Sequence, residues 1–201
     1  MTPAPLVLAS QNPKKSSELD ALLRPLGWQV QALSGFTADS PVEDAPTFVE
    51  NALIKARHAA RISGLPALAD DSGLEVAALG GAPGVRSARY AGEPSDDAAN
   101  NRRLLAALSG VPAAERGARF VCALVLLRHA DDPVPVIAVG TWPGQILDAP
   151  RGDGGFGYDP LFLVPERQRS AAELGADEKA RLSHRGRALR SLMQQLAADA
   201  R

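Results

Sequence analysis

The sequence predicts a mixed α/β fold, in which a sheet of parallel and antiparallel strands is flanked by helices. In the first half of the chain, short apolar runs alternate with helix signals, a pattern typical of parallel strands joined by helices. Farther on, two β-rich runs at 120–127 and 134–141 flank a short polar segment and predict an antiparallel hairpin. The 201 residues, 45% of them hydrophobic, suffice for one core, so we predict a single domain over residues 1–201.

The apolar segment 6–9 predicts a buried strand that leads directly into a helix. Asn12 is a good N-cap residue, and proline is favoured at the first helical position that follows it. We expect this helix to reach about Leu26, where Gly27 ends it, and a second strand to follow at 28–32.

A second helix is predicted from Thr47 to a stop at Gly64. Thr47 and Glu50 have the spacing of a capping box, and alanines recur on one helical face. The remaining predicted elements are a strand at 67–69 that breaks at 70–73 and resumes at 74–76, a loop at 80–93, a helix from 95–97 to about residue 108, a glycine-rich loop at 152–158, a strand at 161–164 and a closing helix at 183–198.

Composition and charge exclude several classes of function. The 22 basic and 23 acidic residues give a net charge of −1, without the basic excess typical of proteins that bind duplex nucleic acid or an anionic membrane. Cys122 is the single cysteine, which excludes an internal disulfide and a thiolate zinc site. The first residues lack the pattern of a secretory signal, and no apolar run approaches the ~18 residues of a membrane span. We therefore expect a cytoplasmic protein.

Polar and basic residues at the start of the first helix predict an anion site. The segment reads Ser10-Gln11-Asn12-Pro13-Lys14-Lys15. Backbone N–H groups and the dipole at a helix N-terminus favour an anion. Ser10 and Asn12 can donate hydrogen bonds there, and Lys15, one turn into the helix, can reach a phosphate. The alternative is an ordinary N-cap, which Asn-Pro often forms.

Two carboxylates, Asp70 and Asp71, directly follow a predicted strand. Carboxylates at this edge of an α/β sheet suit a hard cation such as Mg²⁺, which prefers oxygen ligands. Because neighbouring side chains of a strand point to opposite faces, at most one of the two should face such a site. Another ligand is then needed, and the pair Glu43-Asp44 is a candidate. The alternatives are a plain turn at 70–73 and an acidic pair that only complements the following helix dipole.

The glycine-rich loop at 152–157 matches G-x-G-x-x-G, but turn and strand signals follow where a dinucleotide-binding fold needs a helix. We therefore reject a dinucleotide site. The absence of the Walker pattern argues against a P-loop NTPase. Phe156 and Tyr158 can instead stack on a planar base, while Asp159 and backbone groups read its edge.

Two cations, His184 and Arg185, stand at the predicted start of the last helix. The helix dipole disfavours cations there, so the pair indicates a phosphorylated or carbonyl-rich ligand. The alternative for His184 is a solvated surface residue, although Lys179 nearby in the sequence favours a functional segment.

Six ordered motifs resemble the inosine triphosphate pyrophosphatase family, whose bacterial members are called dITP/XTP pyrophosphatases. They are Ser10-x-Asn12-x-x-Lys15, Thr47-Phe48-x-Glu50-Asn51-Ala52-Leu53-x-Lys55-Ala56, Ala69-Asp70-Asp71-Ser72-Gly73-Leu74, Gly84-x-x-Ser87-Ala88-Arg89-Tyr90, Gly155-Phe156-Gly157-Tyr158-Asp159-Pro160 and Ser183-His184-Arg185-Gly186. The resemblance covers essentially the whole chain. One departure is Ser10, where many members have threonine.

The resemblance implies a Mg²⁺-dependent hydrolase that cuts dITP, ITP or XTP between the α and β phosphates and so removes deaminated purines from the nucleotide pool. It also implies a homodimer, with two lobes around a central substrate groove. The roles that it implies are residues 10–15 at the triphosphate; Glu43, Asp71 and Asp70 at the metal; Asp71 as general base; Ser72, Lys55 and Lys179 at the substrate; Phe156, Gly157, Tyr158 and Asp159 around the base; and His184 and Arg185 at its edge.

Two other functions stay open at this point. One is a non-catalytic nucleotide-binding or regulatory module on the same scaffold, which would release no pyrophosphate from dITP. The other is a related pyrophosphatase that prefers other altered nucleotides or ordinary ones, which a panel of substrates would reveal.

Overall fold

The computed structural model describes residues 5–10 and 12–199. Gln11, predicted at the triphosphate, therefore lies outside the described residues. The α-helices of the described part are α1 (Pro13–Leu23), α2 (Phe48–Ser63), α3 (Asp97–Ala107), α4 (Ala176–Leu182) and α5 (His184–Asp199). Its strands are β1 (Pro5–Ala9), β2 (Gln29–Ala32), β3 (Ala67–Val76), β4 (Gly117–Leu127), β5 (Val136–Ile146), β6 (Phe162–Val164) and β7 (Arg169–Ser170).

The strands form one mixed sheet. Its seven strands lie in the order β2-β1-β3-β4-β5-β6-β7. β1 pairs in parallel with both β2 and β3, so that Leu8 lies opposite Ala32 on one side and Leu68 on the other. β6 pairs antiparallel with β5 and with β7. The predicted mixed α/β class is confirmed.

Local sequence signals set the helix ends. Asn12 caps α1, and a 3₁₀ turn over Arg24–Leu26 carries the chain to Gly27, whose φ of 84° only glycine adopts freely. Thr47 caps α2 by accepting a hydrogen bond from the N–H of Glu50, and Gly64 ends that helix in the left-handed conformation. Both helices therefore follow the predicted limits closely.

The structure corrects the prediction at β3. We expected a break at 70–73, but β3 continues without a turn from Ala67 to Val76. β3 lies between β1 and β4 in the sheet, and Asp70 and Asp71 each form an ion pair with a lysine. The turn composition is therefore overridden by tertiary contacts. The short elements α4 and β7 were not predicted, because seven and two residues carry little periodic signal.

The chain divides into two compact units, each described here by itself. The first unit contains residues up to Asp71, Cys122–Gly140 and residues from Arg185 onward. The second unit contains Ser72–Val121 and Thr141–His184. The predicted single domain and the central groove both stay predictions.

Both faces of the sheet are covered in the first unit. Leu6 and Leu8 of β1 pack in one cluster with leucines of α1 and α5, whereas Val7 and Ala9 pack with alanines of α2. Burial on both faces explains why β1 is a continuous apolar run. In the second unit, the core centres on the packed rings of Phe120, Trp142 and Phe162. Within the described residues, no helix is both long and apolar enough to cross a membrane.

Candidate active site

The start of α1 places the predicted triphosphate-binding residues. Asn12 Oδ1 accepts hydrogen bonds from the backbone N–H groups of Lys14 at 3.0 Å and Lys15 at 3.2 Å, and the N–H of Asn12 donates to Ser10 Oγ at 3.2 Å. The N-cap interpretation is confirmed, but two N–H groups that we expected to be available to an anion already have a partner. Pro13 and Lys14 are exposed. At this turn, the attraction for an anion therefore comes mainly from side chains.

A buried ion-pair cluster lies behind this turn, centred on Asp70. Asp70 Oδ1 is 3.1 Å from Lys15 Nζ, and Asp70 Oδ2 accepts hydrogen bonds from Arg185 Nε and Cys122 Sγ, each at 3.0 Å. Burial opposes the charged form of Asp70, but the Arg185 and Lys15 cations outweigh it and hold its pKa well below the ordinary value. Asp70 is thus an anionic anchor for two cations.

Arg185 has a second partner. It is 2% exposed, and Nη1 donates to Glu18 Oε2 of α1. Arg185 is predicted at the edge of the base, and Glu18 is not predicted at the site, because in the sequence it resembles an ordinary helix-surface residue. The sequence does contain a signal for a role of Glu18, because Glu18 follows Lys15 by three positions and so lies on the same helix face.

A second ion-pair cluster joins Lys55 of α2 to Asp71 and Glu43. Lys55 Nζ is 2.8 Å from Asp71 Oδ1 and 2.7 Å from Glu43 Oε2. Burial lowers the pKa of Lys55. The carboxylates of Asp71 and Glu43 raise it by a larger amount, so the net shift of the pKa is upward. Burial raises the pKa of Asp71 against the opposing effect of Lys55. A small cavity of about 40 Å³ adjoins this cluster, lined by Ala9, Leu33, Ser40, Pro41, Glu43 and Lys55.

The two neighbouring aspartates thus have different partners, as the alternation along a strand predicts. Asp71 Oδ2 is buried and has no hydrogen-bond partner among the described residues, which suits a carboxylate that awaits a cation. Glu43 forms an ion pair with Lys55, the same lysine that binds Asp71, while Asp44 is exposed. The described residues contain no group of three or more His, Cys, Asp or Glu side chains that could hold a metal. Glu43 and Asp71 therefore fit a Mg²⁺ ion better than Asp70, whose two oxygens already face cations.

The segment that carries Glu43 is held by Asn51 of α2. The backbone N–H of Ala45 donates to Asn51 Oδ1 at 3.0 Å, and Asn51 Nδ2 donates to the carbonyl of Ala45 at 3.1 Å. Asn51 is buried. This pair of hydrogen bonds fixes the backbone two residues from Glu43, a role that the sequence analysis did not assign.

In the second unit, Asp159 organises the glycine-rich loop. Asp159 Oδ2 accepts hydrogen bonds from the N–H of Phe156 at 2.8 Å and from Lys179 Nζ at 2.7 Å. The Lys179 ammonium also lies 5.1 Å from the centre of the Phe156 ring. Gly155 has a φ of 70°, and a Cβ there would collide with the Asp159 carboxylate. Three predicted substrate residues therefore lie together, but the Asp159 carboxylate that we placed at the base edge is engaged within the loop.

The rest of the loop is also held in place. Tyr158, predicted to stack on the base, is buried, and its hydroxyl donates to the carbonyl of Ser87 at 2.8 Å. Burial raises the pKa of Tyr158 above its ordinary value. Gly157 is bonded through its N–H to Asp97 and through its carbonyl to Asn101, both on α3. Neither residue of α3 was singled out from the sequence.

His184 lies in the aromatic cluster of the second unit. Its ring stacks on Phe120, with ring centres 4.8 Å apart and planes 15° apart, and lies 6.5 Å from Trp142. His184 is buried, which rules out the alternative of a solvated surface residue. Ser72 is half-buried on β3. The predicted residues thus form one set in each unit, and their grouping into a single site stays a prediction.

Comparisons with known proteins place the chain in a family. Residues 6–195 match the model of the Ham1 family. The chain is 60% identical over 194 residues to a dITP/XTP pyrophosphatase of Aromatoleum aromaticum, covering 96% of this chain and 97% of that protein. It is 58% identical to the dITP/XTP pyrophosphatase of Ralstonia nicotianae, covering 95% of this chain and 96% of that protein.

Solved structures extend the comparison to the fold. A HAM1 protein from Coxiella burnetii superposes with a TM-score of 0.88 at 49% identity, over 97% of this chain and 99% of that chain. A nucleoside-triphosphatase and dITP/XTP pyrophosphatase from Mycobacterium abscessus gives a TM-score of 0.75 at 45% identity, over 94% and 98% of the two chains. The resemblance stated from the sequence motifs is confirmed, and the chain belongs to the Ham1 family.

Proposed function

We infer that this protein is a nucleoside triphosphate pyrophosphatase that hydrolyses dITP, ITP and XTP to the monophosphate and pyrophosphate. Curated relatives that are 52–60% identical over most of the chain are named dITP/XTP pyrophosphatase. The structural observation that carries the proposal is Oδ2 of Asp71, which is buried beside Lys55 and Glu43 and has no hydrogen-bond partner among the described residues. The reaction removes deaminated purines from the nucleotide pool.

The cations of the first unit bind the triphosphate in this proposal. Lys15 and Lys55 are both mostly buried and held by carboxylates, so their ammonium groups are already positioned when the substrate arrives. Cations fixed in advance stabilise the charge of a transferring phosphoryl group without reorganisation. Ser10, Asn12 and Lys14 lie at the same turn of α1 and add polar contacts, and Ser72 follows Asp71 along β3.

Glu43 and Asp71 would hold a Mg²⁺ ion. When bound, the ion neutralises charge on the triphosphate and polarises the phosphoryl oxygens. Asp70 takes a different part, because it anchors Lys15 and Arg185.

Asp71 serves as the general base. Its pKa is raised by burial, so the carboxylate is a better proton acceptor than an ordinary aspartate. It takes a proton from the water that attacks the α phosphorus, and pyrophosphate leaves. No covalent intermediate with the protein is needed.

The purine is recognised by hydrogen-bond donors at its O6 edge and by the loop of the second unit. Hypoxanthine and xanthine carry an O6 acceptor where adenine carries an N6 donor, so donors from His184 and Arg185 favour the deaminated bases. Phe156 packs on the base in this proposal. Gly157, Tyr158 and Asp159 complete the loop around it, and Lys179 of α4 binds Asp159.

We also propose a homodimer in the cytoplasm. Light scattering on the purified protein tests the oligomeric state, and a mass of about twice 21.0 kDa supports the dimer.

The experiment that tests the proposed function is a substrate panel. kcat/KM is measured for dITP, ITP, XTP, dATP and dGTP with Mg²⁺, by detecting the nucleoside monophosphate and pyrophosphate. We expect the deaminated nucleotides to exceed dATP by at least about tenfold, the value of one well-placed charged hydrogen bond. Binding of dITP without pyrophosphate release would support a regulatory module, and preference for an ordinary nucleotide would support a different pyrophosphatase.

A further inference from the structure

Two side chains of α3 hold the backbone of Gly157 in the loop proposed to contact the base. The N–H of Gly157 donates to Asp97 Oδ2 at 2.9 Å, and its carbonyl accepts from Asn101 Nδ2 at 2.9 Å. Asp97 and Asn101 are four residues apart on the helix and therefore face the same side. Together they fix the peptide groups on both sides of Gly157.

This arrangement lies between the two aromatic residues of the loop. Phe156 precedes Gly157 and Tyr158 follows it, and Gly157 itself has a φ of 61°, in the left-handed region. The N–H of Phe156 is held by Asp159, and the hydroxyl of Tyr158 is held by the carbonyl of Ser87. The loop conformation is therefore determined by the protein before any ligand binds, which reduces the cost of ordering on binding.

We propose that Asp97 and Asn101 are positioning residues for purine recognition, which hold residues 156–158 in the conformation that accepts the base. This inference rests on the proposed function, because it takes that loop as the base contact. Neither side chain is proposed to touch the phosphates or the metal.

Asn101 should contribute little to the stability of the fold. Its Oδ1 is buried with no hydrogen-bond partner among the described residues. A buried unpaired oxygen is unfavourable, so the amide costs stability that its bond to Gly157 must offset. Replacement of Asn101 by alanine removes both the hydrogen bond and the unpaired oxygen. The two effects on stability oppose each other, which leaves the position of the loop as the main property that changes.

The test compares Asn101→Ala, Asp97→Ala and Asp97→Asn with a control, Arg102→Ala, at an exposed position on the same helix. Asp97→Asn keeps an oxygen that can accept from Gly157 and serves if an alanine variant does not fold. Formation of dIMP from dITP gives kcat and KM for each variant. Inorganic tripolyphosphate, which has no base, gives an inhibition constant for the phosphate site.

We expect Asn101→Ala to raise KM for dITP by about two- to tenfold, the range for loss of one neutral hydrogen bond, and Asp97→Ala, which removes a bond to a carboxylate, to raise it by about tenfold or more. kcat and the tripolyphosphate inhibition constant should change by less than about twofold. Asp97→Asn should show a smaller effect, and Arg102→Ala none. An unchanged KM, or a tripolyphosphate constant that rises in proportion to KM, would overturn the inference. A wild-type protein that forms no dIMP would overturn the proposed function, and this inference with it.

Discussion

The two units hold their predicted functional residues by different means. In the first unit, ion pairs do so: Lys15 and Arg185 lie against Asp70, and Lys55 lies between Asp71 and Glu43. In the second unit, the residues are held mainly by hydrogen bonds between side chains and the loop backbone, at Phe156 and Gly157. One region fixes charges and the other fixes backbone positions.

Under the proposed function, the difference corresponds to the two halves of a nucleotide. A triphosphate is recognised by charge, and buried carboxylates keep the cations in place until it binds. A purine is neutral and is recognised by stacking and by hydrogen bonds, whose strength depends on position. Substitutions in the first unit should therefore affect all nucleoside triphosphates alike, while substitutions in the second unit should depend on the base.

The largest effect is expected for Asp71→Asn, which tests the charged residues of the first unit. The amide cannot accept the proton and binds Mg²⁺ less well, so kcat should fall by at least about 10²–10⁴-fold for every nucleotide. Lys55 keeps Glu43 as a partner, so the fold should persist, which circular dichroism can check. Near-normal kcat with unchanged Mg²⁺ dependence would remove Asp71 from the mechanism.

Arg185→Ala tests whether the two units differ in this way, because Arg185 belongs to the first unit and yet is proposed to contact the base. Loss of a charged hydrogen bond to O6 should lower kcat/KM for dITP by about ten- to hundredfold and leave dATP less affected. Arg185 is one of two cationic partners of buried Asp70, and Lys15 remains in the variant, so we also expect some loss of stability, and the assay must run below the lowered Tm. His184→Ala should act in the same direction but more weakly.

The Arg185 variant has a clear contrary outcome. If kcat/KM fell equally for dITP and dATP, Arg185 would serve only as a counter-charge for Asp70 and Glu18. Recognition of the base would then depend on residues of the second unit.

Lys15→Ala should have a moderate effect that sharpens the comparison. Its ammonium suits phosphate contact, so KM should rise by about tenfold and by a similar factor for dITP and dATP. Ser17→Ala, at an exposed position on the same helix, controls for changes in α1 itself. A changed ratio between the two nucleotides would move Lys15 to the base pocket.

Asp132→Asn should have the smallest effect on activity, although Asp132 is also a buried anion of the first unit. It accepts hydrogen bonds from the N–H groups of Arg128 and Val134 and from the Arg128 guanidinium, so its loss should cost about 1–3 kcal/mol of stability. kcat/KM should not change, because Asp132 has no proposed catalytic part.

The pH dependence of this variant follows from the pKa of Asp132. The hydrogen bonds from Arg128 hold that pKa below the ordinary value, so the carboxylate stabilises the fold above the ordinary pKa and loses this effect as the pH falls below it. The difference in Tm between wild type and Asp132→Asn should therefore be largest near neutral pH and shrink in acid. A difference that grows in acid would contradict this account.

Local signals were sufficient for much of the fold. The caps at Asn12 and Thr47 and the stops at Gly27 and Gly64 depend on neighbouring residues, so the sequence predicts them directly. The different surroundings of Asp70 and Asp71 also follow from alternation along a strand. β3 was predicted to break because its turn-like composition is local, whereas the sheet neighbours that keep it extended are not.

The missed residues have partners far along the chain. Cys122 and Asp70 are 52 positions apart, and Asn101 and Gly157 are 56 apart. The sequence indicated the loop and the aspartate but not what holds them, since a polar side chain on a helix looks the same whether it faces solvent or a distant backbone. Only the tertiary fold distinguishes the two cases.

The most direct test of the central claim is to locate the oxygen that water adds. Wild-type protein is incubated with dITP and Mg²⁺ in water enriched in ¹⁸O, and the products are separated and weighed by mass spectrometry. The account predicts equimolar dIMP and pyrophosphate, with one ¹⁸O atom in dIMP and none in pyrophosphate, because water attacks the α phosphorus. Label in pyrophosphate, or release of dIDP and orthophosphate, would contradict it.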